Sequence, residues 1–173
     1  MHQFYGLPGG AAAGISDSKL PDMQAGWEQG ITNVMAGLSG LNMVYEAVGM
    51  HASLLGYCLE SLVMGDDILG QALRCVRGID VTEDALSIEV MRAVCLEGPG
   101  HYLGSDQTLA LMQTEYIYPA VGNRMSPKEW GEAGKPKLLD AAIARKNAIL
   151  EKAGSTLAPD IDRAIRAQFN IVI

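Results

Sequence analysis

Acidic and basic residues are scarce in the first 58 positions of this sequence. Only Asp17, Lys19, Asp22, Glu28 and Glu46 are charged there. There is no basic surplus: 13 Lys and Arg face 20 Asp and Glu, for a formal net charge of −7. That balance argues against a nucleic-acid binder, which needs a positive face. No long apolar run exists either. The oiliest stretch, Leu41 to Met64, is broken by Glu46, His51 and Glu60, so it falls short of the ~20 apolar residues a membrane span needs. Met1-His2-Gln3-Phe4 lacks the basic start and apolar core of a signal peptide, which points to a cytoplasmic protein. The cysteines are Cys58, Cys75 and Cys95, with no CxxC pair, so a zinc cluster and any other metal site are not expected. Their apolar neighbours suggest buried thiols in a reducing compartment.

What is abundant is glycine and apolar surface, and both are unevenly placed. Residues 1–58 hold ten glycines beside their five charges, whereas residues 124–173 hold fifteen charges. A small free-standing domain normally carries charge all over its surface. The first half therefore reads as sequence meant to be covered, by more chain or by a partner subunit.

The segment from Leu7 to Asp22 carries the most information. Pro8 to Gly14 is nearly bare backbone, poor material for a self-sufficient strand and suited to a place where something bulky comes close. Ser16, Asp17, Ser18 and Lys19 then form a polar loop, and Asp22 stands at the N-cap position of a helix over 22–39. Met23, Trp27, Ile31, Val34, Met35 and Leu38 recur at helical spacing and predict its buried face. Residues 7–14 read as a short buried strand and 41–46 as a second strand. Helices are expected over 51–64 and 66–77, with Gly65 as a break and Asp66 and Asp67 opening the second one. Thr82 caps a helix to about Leu96, and residues 98–104 form a loop. Ser105 or Asp106 caps a helix to Gln113, and Ser126-Pro-Lys-Glu129 is a capping-box start. A solvated helix covers 137–152, Gly154-Ser-Thr is a linker, and Pro159 opens a last helix with the apolar tail Ile171-Val172-Ile173. The order strand, helix, strand, helix and then helices alone fits the end of an α/β sheet followed by a helical appendix. Two strands cannot bury both faces of a parallel sheet, which points to a piece of something larger.

Five stretches carry a resemblance: Tyr5-Gly-Leu-Pro8; Ser16-Asp-Ser-Lys-Leu-Pro-Asp-Met-Gln-Ala-Gly26; Leu62-Val-Met-Gly-Asp-Asp-Ile68; Gly98-Pro-Gly-His-Tyr-Leu-Gly-Ser-Asp-Gln-Thr-Leu109; and Trp130-Gly-Glu-Ala-Gly134. In this order they resemble the carboxy-terminal third of the trimethylamine:corrinoid methyltransferase (MttB-like) family. The resemblance implies an α/β fold: the last two or so βα units of a (β/α)8 TIM barrel, with a helical C-terminal extension. Residues 1–97 would be the barrel portion and 98–173 the extension packing on it. It also implies methyl transfer from a methylated or quaternary amine to a corrinoid carried by a partner protein. A nitrogen leaves readily only when positively charged, so a quaternary amine needs positioning more than proton chemistry. Archaeal trimethylamine members carry pyrrolysine near the position of Ile15. Its absence here implies the branch that lacks it, which resembles glycine-betaine-type demethylases.

Barrel active sites lie beyond the carboxyl ends of the strands. Asp17, Lys19 and Glu46 are therefore the candidate catalytic residues, and Ser16, Ser18, Tyr45 and Glu60 the candidate substrate-binding ones. Aromatic faces and carboxylates are what hold a methylammonium cation. Plainer roles stand beside these: a salt bridge between Asp17 and Lys19, a helix cap for Asp22, core packing for Tyr45, exposed surface for Glu60, and a core or capping role for His51. Glu46, alone among oily residues, is either functional or paired. His101 in its glycine loop lacks a second metal ligand at suitable spacing, and the loop lacks the lysine of a phosphate cradle. The other function class is a non-catalytic fragment acting as a helical, oligomerising interaction module, with either a second copy or a missing N-terminal barrel portion as its cover.

Overall fold

The structure is a computed structural model that describes residues 1–154 and 157–171. The tail residues Val172 and Ile173, and Ser155 and Thr156 of the expected linker, lie outside the described residues. A short helix α1 (His2–Tyr5) leads into strand β1 (Gly10–Ala12). Helix α2 (Met23–Leu38) then returns the chain to strand β2 (Met43–Tyr45), which pairs parallel with β1 in the register Gly10–Met43, Ala11–Val44 and Ala12–Tyr45. This is a βαβ unit, the smallest piece of a parallel sheet. Its strands are shorter than the expected 7–14 and 41–46, and β1 is largely exposed rather than buried. The bare backbone before and after β1 is met by the chain itself. A Cβ on Gly10 would lie 2.6 Å from the Tyr45 hydroxyl, and one on Gly14, whose φ is +79°, would lie 1.7 Å from the Ala47 carbonyl oxygen.

Residues 51–57 are not helical, contrary to expectation. They form a tight hairpin of β3 (Met50–His51) and β4 (Gly56–Tyr57), antiparallel, with Ala52, Ser53 and Leu54 all at positive φ. Helix α3 (Leu59–Arg77) runs unbroken through Gly65. The glycine is there for proximity, not flexibility: a Cβ would sit 2.3 Å from Val48 Cγ1. Asp66 and Asp67 consequently lie within the helix, not at its start. Asp67 instead accepts N–H bonds from Ala120, Val121 and Gly122 at 2.5, 3.0 and 2.9 Å.

The helix expected over 82–96 is two pieces, α4 (Glu83–Leu86) and α5 (Ile88–Cys95), divided at Ser87 with φ +56°. Next come α6 (Asp106–Met112), α7 (Pro127–Glu132), α8 (Leu138–Lys152) and α9 (Pro159–Gln168). The Ser126–Glu129 capping box forms in full, and Asp22, Thr82 and Ser105 accept their cap bonds from Ala25, Ala85 and Thr108. Helix α3 is the hub, packing on α2 on one side and on α8 on the other. A hydrogen-bonded ion pair of 2.7 Å between Glu60 and Lys146 holds α8 in place.

Little of this is a closed core. The accessible surface is 12775 Å², against about 8,200 Å² for a compact monomer of 18.4 kDa. Along α2, Met23, Trp27, Ile31, Met35 and Leu38 face outward (Trp27 is 53% exposed), while Ala25, Gln29, Asn33 and Ala36 are buried. The expected buried stripe is thus the uncovered one, because α2 turns its polar side to the strand-exit loops. The cysteines also depart from expectation: Cys58 is half-buried, and Cys75 and Cys95 are exposed.

Candidate functional site

The carboxyl ends of β1 and β2 open into two loops, residues 13–22 and 46–55, which are sewn together. Backbone bonds run from Ser16 N–H to the Met50 carbonyl, from Ala52 N–H to the Ser18 carbonyl and from Ser53 N–H to the Ser16 carbonyl, at 3.1, 3.0 and 3.2 Å. The Ser53 hydroxyl donates to Asp17 Oδ1. Helix α2 supplies the floor with its polar side. Thr32 Oγ1 accepts from Gly14 N–H at 2.9 Å, and Asn33 Nδ2 donates to the Ala47 carbonyl at 2.7 Å. Glu28 accepts from the Ser16 hydroxyl at 2.6 Å, from Asp17 N–H at 2.9 Å and from Gln24 at 2.9 Å. Donation by Ser16, then by Gln24 and the Asp17 backbone, holds the Glu28 carboxyl below its ordinary range. The N-cap bond from Ala25, with the Ser18 hydroxyl, does the same for Asp22.

Ser16 is 1% exposed, so its hydroxyl is a fixed part of the frame, as is the buried Ser18, which bridges to Asp22 Oδ1 at 2.9 Å. Asp17 and Lys19 are exposed at the rim. The alternative of a salt bridge between them is not realised: Lys19 Nζ donates to the backbone carbonyl of Asp17 at 2.9 Å. Tyr45 and Glu46 are exposed at the end of β2, and Glu46 holds φ +51°. Among the described residues no hydrogen bond or ion pair joins the exposed Glu46 carboxylate. Glu60 stands apart, at the start of α3. Donation by Lys146, then its own backbone N–H and the Cys58 thiol, push its carboxyl down to about 2.

Of the six non-glycine residues with positive φ among the described residues, Glu46, Ala52, Ser53 and Leu54 lie in the loop after β2. Left-handed backbone at such residues is uphill and persists only where the surroundings impose it; it gathers at functional sites. Sequence reasoning did not single out Ser53, Glu28, Asn33 or Ser61. The usable signal was the polar row Gln24, Glu28, Gln29, Thr32 and Asn33 on α2, which marks a helix face turned to something polar. Apart from this rim, a concavity of about 560 Å³ lies between α2, α3 and the 119–124 segment, walled by Trp27, Met64 and Ile68. Among the described residues no group of three or more His, Cys, Asp or Glu side chains could hold a metal ion. No helix among them is long and apolar enough to cross a membrane.

A parallel βαβ unit followed mostly by helices defines the class: a mixed α/β protein, mostly helical, with small sheets. Residues 1–171 match the family described as trimethylamine methyltransferase (MTTB). The chain belongs to that family. It is 31% identical over 169 residues to a glycine betaine methyltransferase of Desulfitobacterium hafniense (strain Y51), covering 96% of this chain and 34% of that protein. Against the trimethylamine methyltransferase MttB of Methanosarcina thermophila it is 34% identical over 154 residues, covering 86% of this chain and 30% of the relative. Against MttB1 of Methanosarcina acetivorans it is 31% identical over 181 residues, 96% of this chain and 35% of the relative. The chain thus spans about a third of the length of the curated relatives it matches.

Proposed function

We propose that this chain provides part of the catalytic rim of an amine methyltransferase, which passes a methyl group from a methylated or quaternary amine to a corrinoid held on a partner protein. The β1–α2–β2 unit and the hairpin would be late βα units of a (β/α)8 barrel. Residues 98–173 would be a helical extension on its outside, held by the contacts of α3 with α8 and with residues 120–122. The observation that carries the reading is the joining of the two strand-exit loops, which sets Asp17, Lys19, Tyr45 and Glu46 at one end of a parallel strand pair. Asp17 and Glu46 offer negative charge to an ammonium cation and Tyr45 an aromatic face. Ser16 and Ser18 hold the loop rather than touch the substrate, because both are buried and engaged. The corrinoid supplies the cobalt nucleophile. Asp17, Tyr45 and Glu46 would bind and orient the cation for transfer of its methyl group.

A second reading is favoured by the outward stripe of α2 and the large open surface: a non-catalytic module whose apolar face associates with other chains. Methyl transfer to cob(I)alamin, measured with glycine betaine and with trimethylamine for this chain and for a full-length relative, separates the two. Turnover by the relative with none by this chain leaves the association module. Turnover by both supports the methyltransferase.

A further inference from the structure

His51 is 4% exposed and stands between both strand-exit loops and helix α3. Its Nδ1 lies 3.2 Å from the Ser18 carbonyl oxygen, and its Nε2 lies 2.7 Å from Ser61 Oγ. A carbonyl oxygen only accepts, so Nδ1 must carry a hydrogen; in the neutral ring Nε2 then holds the lone pair and accepts from the Ser61 hydroxyl. Free histidine favours the opposite tautomer, with hydrogen on Nε2, so the site selects the rarer form. The Ser18 carbonyl also accepts from Ala52 N–H, the first residue of the left-handed run Ala52-Ser53-Leu54. One ring therefore reaches the backbone just ahead of Lys19 and a buried hydroxyl in the first turn of α3.

We propose that His51, as its Nδ1–H tautomer, is a positioning residue that locks the two strand-exit loops to α3 and so fixes the backbone presenting Asp17 and Lys19. This rests on the reading of those loops as the rim that meets the cationic substrate. The ring itself is too deep to touch that substrate. Its work is to add a link to the Ala52–Ser18, Ser53–Ser16 and Ser53–Asp17 bonds that join residues 16–18 to residues 52 and 53, and to carry that link on to Ser61 of α3.

The test uses the full chain, ¹⁵N-labelled at histidine and at backbone amides. At neutral pH the His51 signals should show a protonated Nδ1 and a bare Nε2; the Nε2–H form would overturn the proposal. His51→Phe keeps a planar aromatic ring, slightly larger, and loses both bonds. It should speed amide exchange at Ala52 and Ser53 about fivefold or more relative to Ala72 in α3, the factor one net hydrogen bond carries. His51→Asn keeps a donor near the Nδ1 position and should restore most of that protection. Equal acceleration at Ala72, or none at Ala52 and Ser53, reduces His51 to ordinary packing. Methyl transfer is read separately on the same variants. If the clamp signatures hold and His51→Phe transfers methyl groups as fast as the parent, the substrate reading of the loops fails while the clamp stands.

Discussion

The hydroxyl of Ser53 lies 2.5 Å from Asp17 Oδ1. These residues are far apart in sequence, yet the bond ties the loop leaving β1 to the loop leaving β2 at the exposed rim. Ser53→Ala should lower stability by about 1 kcal/mol, the net worth of an ordinary hydrogen bond, as read by urea denaturation. Asp17→Asn keeps the size of the side chain and removes the charge. In methyl-transfer assays it should reduce kcat/KM for a cationic amine at least about tenfold, the loss of roughly 1.4 kcal/mol of cation stabilisation. Unchanged kcat/KM would remove Asp17 from the site.

Two glycines of α3 should respond in opposite directions to alanine. A Cβ at Gly65 collides with Val48, whereas one at Gly70 meets nothing within 4 Å. Gly65→Ala should destabilise by about 1–3 kcal/mol through overpacking. Gly70→Ala should stabilise by up to about 1 kcal/mol through helix propensity alone. Thermal melting of the two variants decides it.

Asp67 is the anchor of the C-terminal segment. Asp67→Asn leaves one of its two acceptor oxygens for the N–H groups of residues 120–122. It should cost about 1.5–3 kcal/mol, the range for hydrogen bonds to a charged group. Amide exchange should rise first at Val121 and Gly122, before any change in α2.

The ion pair of Glu60 with Lys146 makes folding acid-sensitive at one identifiable place. The Glu60 carboxyl is pushed down to about 2 by Lys146, from an ordinary value of 4.5. A depressed carboxyl contributes stability above its unfolded value and loses it as pH falls through the folded one. The contribution should therefore be whole above pH 4.5 and vanish toward pH 2. Glu60→Gln should flatten the stability profile in that window and leave it parallel to the parent above it. A profile in the variant as steep as the parent's would show that the pair is not the source.

The uncovered stripe of α2 predicts self-association or aggregation of the isolated chain. Replacing Ile31 and Met35 by Glu should shift sedimentation toward monomer and leave the helical circular dichroism unchanged, because neither side chain packs inside the described fold. Persistence of the same association state would place the contact elsewhere.

Legibility in the sequence followed the range of the interactions. The caps at Asp22, Thr82, Ser105 and Ser126 were readable because each bond spans three residues. Glycine at 65 was misread as a break: its reason, Val48, lies across the fold where no local pattern reports it. Residues 51–57 read as helix because their apolar residues suit either structure, whereas bonds to Ser16, Asp17 and Ser18, distant in sequence, help hold them in a left-handed turn. Asp17 and Lys19 were visible as site candidates from the polar loop after a bare strand. Ser53 was not, and His51 read only as a core or capping histidine, a burial the structure bears out; the links both make exist only once that loop and the hairpin meet.

The sequence by itself determined the family, the order of most helices and the polar loop at the strand exit, because motifs, caps and periodicity are written in near neighbours. Tertiary structure alone decided that α2 shows its oily side outward and its Gln29 and Asn33 side inward, and that Glu60 turns to α8. Those outcomes depend on which surfaces meet. Burial is a property of pairs of elements, so no single stretch of chain can carry it.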